Sequence, residues 1–390
     1  MGSLKEFKEY QKYLNKQINK KNKVDKRFYN GVFTRYVNPV VTGDHVPLDW
    51  RFDMSVDSNP YYIERLGING TFNCGAIYFD GYYQLCVRVE GTDRKSFFAI
   101  AKSKNGIDGF KFSHLVEYAD IDEEETNAYD MRLVKHEDGY IYGIYCSECK
   151  DKSVNDTSSA IAKVGILRTK DLVSWERMPN LDFGSGQQRN VVLHPEFVNG
   201  KYAFYTRPQD GFIDVGSGGG IGFGYVDDIT NPVLKDQKII DELRYHTIYE
   251  LKNGEGPAPI KTSKGWIHFA HGVRNTAAGL RYVLYAYATS LEDPTVVTAK
   301  PSGYLLAPIN EERVGDVSNV LFVNGVIFKD GVVYLYYASS DTRCHVATAD
   351  IASLEDYIFN NPSEEFRSVN CVKQRKKLIL KNRGGEEKWV

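Results

Sequence analysis

Cysteine is scarce in this chain: six residues in 390, at positions 74, 86, 146, 149, 344 and 371. They form no dense disulfide framework, and a chain this long has no need of one. Cys146 and Cys149 make a single CxxC with no second pair nearby, so free thiols at a strand end are expected there rather than zinc or redox chemistry. No apolar run approaches the ~18 residues of a membrane-spanning helix, and no apolar leader opens the sequence. The expected setting is therefore a reducing cytoplasm. An excess of one charge is also missing. With 49 basic and 51 acidic residues and a net charge of -2, neither nucleic acid nor an anionic membrane is an expected partner. The signatures GxSxG, HExxH and the EF-hand loop do not occur. The glycine-rich stretch VGSGGGIGFG (215–224) lacks both GK[ST] and a following helical pattern, so it reads as a flexible or close-packed loop rather than a phosphate loop. No metal and no cofactor are expected.

Aromatic residues, by contrast, are plentiful: 13% of the chain, with 27 Tyr and 20 Phe. That favours strands and also suits sugar C–H faces. Five segments share one pattern, an apolar strand, a tight glycine turn and an aromatic-rich strand: AIYFDGYYQLCVRVEG (76–91), MRLVKHEDGYIYGIYC (131–146), VVLHPEFVNGKYAFYTRP (191–208), APIKTSKGWIHFAHGVR (258–274) and NGVIFKDGVVYLYYASS (324–340). Glycine after Asp, Asn or Lys is hairpin chemistry, because it takes positive φ without strain. The turn glycines 81, 139, 200, 265 and 331 are 58, 61, 65 and 66 residues apart. Each hairpin is followed by a weaker strand pair, at 97–113, 160–178, 220–234, 281–297 and 345–358. Four strands in about 60 residues, repeated five times, is the pattern of an all-β, five-bladed β-propeller.

Residues 4–23 differ, with Leu4, Phe7, Tyr10, Leu14 and Ile18 on one helical face among lysines. The expected organisation is an N-terminal helical extension (1–30), the propeller (31–360) and a basic C-terminal extension (361–390), either solvated or an interface arm. The helix is expected to pack on the propeller or on a neighbouring subunit, which leaves a homo-oligomer open.

In an antiparallel hairpin, residues equidistant from the turn lie side by side. Counting from the five turns sets Asn73 against Arg88, brings Arg189 beside Arg207, and places His271 opposite Gly256 and Pro257 with Lys252 just beyond. It also sets Asp341 against Asn319 and Val320, with Asp130 again at the open end of its hairpin. The inner strands of a propeller surround one axis, so these polar ends converge on one mouth. The result is a cationic pocket with two carboxylates. Gathered like charges are costly in a partly desolvated site, and a bound anion offsets that cost; arginine forks suit phosphate oxygens. Each residue taken alone also has a plain structural reading: a surface salt bridge for an arginine, a turn cap for Asp130 or Asp341, a satisfied core histidine for His271.

The segments TRYVNPV (34–40), FNCGAIYFDGYYQLCVRVEG (72–91), NAYDMR (127–132), RNVVLHPEFVNGKYAFYTRP (189–208), ELKNGEGPAPIKTSKGWIHFAHGV (250–273) and YYASSDTRCHVATAD (336–350), in this order, resemble the mannoside phosphorylases of glycoside hydrolase family 130. The likeness runs from about residue 30 to 360 and favours the branch acting on 4-O-β-D-mannosyl-D-glucose. It implies that Asp130 is the catalytic acid. Arg189, Arg207 and Lys252 are implied as phosphate-binding cations with His271 nearby, and Asn73, Arg88 and Asp341 as holders of the mannosyl unit. It further implies inversion at the anomeric carbon, giving α-mannose 1-phosphate, with the proton passing through the mannosyl 3-hydroxyl. Phosphate is then a co-substrate, not a cofactor.

The pocket's own chemistry agrees. An inverting hydrolase needs an acid and a base, whereas a phosphorylase needs one acid and cations to orient an anionic nucleophile. Three alternatives stay open at this level: a β-mannoside hydrolase with Asp341 as base, a phosphorylase for a mannose or N-acetylglucosamine acceptor, and a non-catalytic glycan-binding propeller.

Overall fold

The computed structural model describes residues 3–119, 124–184, 186–212, 215–216, 219–363 and 368–383. Five antiparallel sheets follow one another along the chain as the blades of a propeller. The first blade comprises Ile68–Phe79, Tyr82–Gly91, Ser96–Ser103 and Lys111–Leu115, and the second Glu125–Lys135, Ile141–Lys150, Ala160–Thr169 and Glu176–Met178. The third comprises Val192–Leu193, Tyr202–Thr206, Ile221–Val226 and Lys235–Asp241, with a short pair, Gln187–Gln188 and Pro208–Gln209, extending its inner hairpin. In the fourth, the inner strand is split into Lys252–Glu255 and Ile260–Thr262, both paired with Gly265–Thr276, followed by Gly279–Thr289 and Val297–Ala299.

The fifth blade departs from the expectation. Leu321–Lys329, Val332–Ser339 and Arg343–Asp350 supply three strands, but the fourth is Thr34–Arg35 from the start of the chain, with Thr34 opposite Thr348. This pairing closes the ring. Residues 351–358, expected as a strand, are instead the start of helix Ile351–Asn360, capped by the Asp350 side chain, which accepts from the backbone N–H groups of Ala352 and Ser353. Ile351, Leu354 and Ile358 have helical spacing, and Leu354 and Ile358 are buried against the last two blades. With the outer edge already paired, this segment does better burying an apolar face.

Three hairpin turns have positive φ at both central residues: Asp80 and Gly81, Asn199 and Gly200, Asp330 and Gly331. This is the turn type that matches strand twist. Neighbouring inner strands approach too closely for a side chain at their contacts. A Cβ on Gly75 would lie 2.6 Å from the Met131 carbonyl oxygen, and one on Gly325 would lie 2.5 Å from that of Cys74.

The N-terminal helix spans Leu4–Ile18 and is capped by Ser3. It packs on this same chain, with Phe7 stacked on Tyr62 at 4.9 Å and edge-on to Phe52 at 5.2 Å. A further helix, Ser368–Arg383, occupies the basic C-terminal stretch; residues 364–367 and 384–390 of that extension lie outside the described residues. The same holds for positions 217–218 of the glycine-rich stretch.

Candidate active site

The inner edge of each of the five blades carries an Asx residue toward the open end of its hairpin: Asn73, Asp130, Asn253 and Asn324 within strands, and Asn190 in the break between Gln188 and Val192. At four of them the ladder slips by one residue. Phe72 pairs with Arg88 but Gly75 with Cys86; Tyr129 with Cys146 but Arg132 with Ile144. Gln188 pairs with Pro208 but Val192 with Tyr205, and Val323 with Tyr337 but Gly325 with Tyr336. Asn73, Asp130 and Asn190 sit at φ of 49°, 61° and 54°, a region that Asn and Asp tolerate better than other side chains. Such bulges turn a side chain away from the regular alternation. Here they turn Asn73, Asp130 and Asn190 into one cleft of about 800 Å³, which Arg88, Arg189, Arg207, Lys252 and Asp341 also line.

On one side of the cleft, Asp130 accepts from Asn73 Nδ2 at 2.8 Å and from Arg88 Nη1 at 3.0 Å. Arg88 also donates to Ser96 at 3.0 Å and to the Glu90 carboxylate, and its guanidinium lies over Phe72 and Tyr129 at 4.3 and 4.8 Å. Burial works against this charge, but Asp130 and Glu90 outweigh it and hold the Arg88 pKa above its ordinary value. Asp341, at φ 52°, faces the same space. Burial pushes its carboxyl up to about 7; Arg88 pulls it down, and Asp130 and Glu90 push it further up.

On the other side, Arg189 and Arg207 face each other in the breaks between the strand segments of the third blade's inner hairpin, joined by the Arg189 N–H and the Arg207 carbonyl at 3.5 Å. Arg189 donates to the Tyr129 hydroxyl at 2.5 Å and lies 4.1 Å over the Phe212 ring. Arg207 donates to Gln209 Oε1 at 2.5 Å. Burial, and then the charges of Arg189 and Arg132, push the Arg207 pKa down to about 10. That value leaves it charged at neutral pH. Lys252 reaches the cleft from the fourth blade. Gathered cations of this kind suit an oxyanion.

His271 departs from the sequence reading. It is fully buried and does not line the cleft. Its pKa is held well below the ordinary value by burial and by Arg207, Arg132 and Lys252, so it is neutral and supports the pocket from behind. Asn190 Nδ2 stands 3.5 Å from its Nε2. The register differs as well: His271 pairs with Gly254, and Lys252 with Val273. The segment 256–259, with Pro257 and Pro259, interrupts the inner strand and takes up two extra residues that symmetric counting cannot foresee. Cys146 lines the cleft, while Cys149, an odd number of residues along the same strand, points to the opposite face, so the CxxC is not a two-thiol site.

Sequence reasoning missed Tyr129, Asn190, Glu90, Phe212 and Arg132. The recurring Asx was the available signal: aligning the hairpins on it puts Phe72, Tyr129, Arg189 and Lys252, all cleft residues, at one repeat position.

Comparison with known proteins identifies the family. The glycoside hydrolase family 130 model, described as beta-1,4-mannooligosaccharide phosphorylase, matches residues 46–358. The chain is 60% identical over 357 residues to the 4-O-beta-D-mannosyl-D-glucose phosphorylase of Bacteroides fragilis, covering 90% of this chain and 91% of that protein. It is 29% identical to the beta-1,4-mannooligosaccharide phosphorylase of Ruminococcus albus, over 80% of this chain and 92% of that one. In fold it is similar to the beta-1,2-mannobiose phosphorylase of Listeria innocua, with a TM-score of 0.67 at 21% identity over 84% of this chain and 99% of that one. A matching model over most of the propeller and a relative this similar along nearly its whole length place the chain in glycoside hydrolase family 130, to which it belongs.

Proposed function

We propose that the protein is an inverting phosphorylase that cleaves 4-O-β-D-mannosyl-D-glucose with inorganic phosphate, releasing α-D-mannose 1-phosphate and D-glucose. The observation that carries the reading is a single cleft with Asp130 on one side and Arg189, Arg207 and Lys252 on the other. Phosphate is already an anionic nucleophile, so the site has to orient it and protonate the leaving oxygen, and needs no base to activate water. In this reading the three cations hold phosphate against the anomeric carbon, and Asn73, Arg88 and Asp341 hold the mannosyl unit. Asp130 supplies the proton to the departing glucose oxygen through the mannosyl 3-hydroxyl. The choice of glucose as acceptor rests on the 60% identity to the Bacteroides fragilis enzyme. No helix among the described residues is long and apolar enough to cross a membrane, and a charged sugar phosphate product suits work in the cytoplasm.

The test is to incubate the protein with the disaccharide in phosphate and in phosphate-free buffer, following products by NMR. Phosphate-dependent formation of the α-anomer is expected, and cleavage at the same rate without phosphate sinks the reading. A hydrolase is the second reading, because Asp341 puts another carboxyl in the cleft. It predicts that second outcome.

A further inference from the structure

Directly beneath the cleft lies a cation that the chemistry above does not use. Arg132 is 2% exposed and is not among the cleft-lining residues. Its guanidinium is shared among three blades. Nη1 donates to the Asp130 carbonyl at 2.7 Å, Nη2 to Asn190 Oδ1 at 2.8 Å and to the Glu255 carbonyl at 3.5 Å, and Nε to the Gly256 carbonyl at 2.9 Å. The ring of Phe322, from the fifth blade, lies 6.0 Å from its centre. A buried guanidinium is costly unless its donors are satisfied, and here the acceptors are backbone and amide oxygens rather than a carboxylate. The carbonyl it grips at Nη1 belongs to the one acidic member of the five Asx residues. That residue sits at φ 61°, a conformation that aspartate can adopt but that costs energy inside a strand, where contacts on its carbonyl help to hold it.

We propose that Arg132 is a positioning residue, fixing the left-handed backbone of Asp130 against the inner strands of the third and fourth blades so that the Asp130 carboxyl is aimed at the leaving oxygen. The inference rests on the reading of Asp130 as proton donor. Arg132 does not line the cleft, and its charge, which bears on Arg207, is kept in a lysine variant, so such a variant separates the step Asp130 performs from phosphate binding. A lysine in its place keeps the charge but offers a single ammonium, which cannot span acceptors on three strands.

The experiment measures steady-state phosphorolysis by wild type and Arg132→Lys side by side, varying each substrate. We expect kcat to fall about 30- to 100-fold, with KM for disaccharide and for phosphate each within about threefold, and with phosphate still raising the melting temperature of the variant. A kcat within threefold of wild type overturns the proposal. So does a loss in which both KM values rise along with the fall in kcat and the protection by phosphate disappears, since that is general disorder of the pocket. Should Arg132→Lys fail to fold, Arg132→Gln, which leaves no buried charge and keeps an amide donor, takes its place. It is expected to lower kcat at least about tenfold with KM for phosphate held within about threefold, and an unchanged kcat overturns the proposal equally. A wild type that cleaves without phosphate would sink the functional reading instead, and is seen in the same assay.

Discussion

Arg189 donates to the hydroxyl of Tyr129 at 2.5 Å, so a cation on the phosphate side leans on the residue immediately before Asp130. The Tyr129 ring also lies under Arg88, 4.8 Å away, and 5.6 Å from Arg189. One aromatic side chain therefore separates and aligns the two halves of the cleft. Tyr129→Phe keeps the ring and removes the acceptor. A hydrogen bond to a charged group contributes about 1.5–3 kcal/mol, and part of that survives through the remaining ring contact. The expected result is a rise of about three- to tenfold in KM for phosphate with kcat at saturating phosphate nearly unchanged, read from initial rates over a phosphate series. A fall in kcat at constant KM would assign Tyr129 to the proton-transfer side instead.

Asp130→Asn preserves shape and both neighbours but removes the ionisable group. General acid catalysis is worth about 10²–10⁴-fold, so kcat should drop into that range. Arg88 keeps Glu90 and Ser96 as partners, and Arg189, Arg207 and Lys252 are untouched, so phosphate should still raise the melting temperature. The check is a thermal shift measured alongside the rate. Retained activity would move the acid to another residue, with Asp341 next in line.

The blades were legible because their signal is local: an Asx or Lys next to glycine at a hairpin turn, followed by an aromatic strand, needs no distant partner to be recognised. What failed was non-local. Thr34 pairs with Thr348 across the whole chain, and nothing in residues 345–358 announces that their edge is already taken. The site residues were found by counting from turns, which works where the ladder is regular. It brought Arg189 beside Arg207 and Asn73 near Arg88, and it misplaced His271 because Pro257 and Pro259 break the fourth inner strand. Arg132 stayed hidden because all four of its hydrogen bonds are to oxygens of the chain's backbone or of an amide, and no sequence spacing encodes them.

Asp341 gives the protein a pH dependence of known sign. Burial raises its folded-state pKa to about 7, against about 3.9 in an unfolded chain. Between those values the folded state holds a proton that the unfolded state has released. The stability contributed by this group is therefore full below about pH 4 and lost as pH rises through about 7. Asp341→Asn mimics the protonated form, so it should match wild type near pH 4, and its advantage should grow from there to pH 8. The gain is on the order of 1–3 kcal/mol once water in the open cleft is allowed for. Denaturant unfolding at the two pH values measures it, and a difference that does not grow with pH would show that the carboxylate is stabilised in place.

The closeness of the inner strands makes its own prediction. A Cβ at position 325 would stand 2.5 Å from the Cys74 carbonyl oxygen, 2.7 Å from the Ala76 Cβ and 3.0 Å from the Ala76 nitrogen, so backbone from the neighbouring blade meets it on one side. Carbonyl and amide atoms in a paired strand cannot rotate away as a flexible side chain can, and the adjacent Asn324 donates to the Asn73 carbonyl at 3.3 Å. Gly325→Ala must therefore push the first and fifth blades apart at the level of Asn73, inside the cleft wall. Overpacking of this kind costs about 1–3 kcal/mol, and here it should also disturb the Asn73 amide that holds Asp130. Stability and kcat are expected to fall together in this variant. Gly331→Ala, at a hairpin turn where a Cβ meets nothing within 4 Å, strains only a positive-φ turn and should lower stability alone. Equal kcat losses in the two variants would mean that the contact between these inner strands does not shape the site.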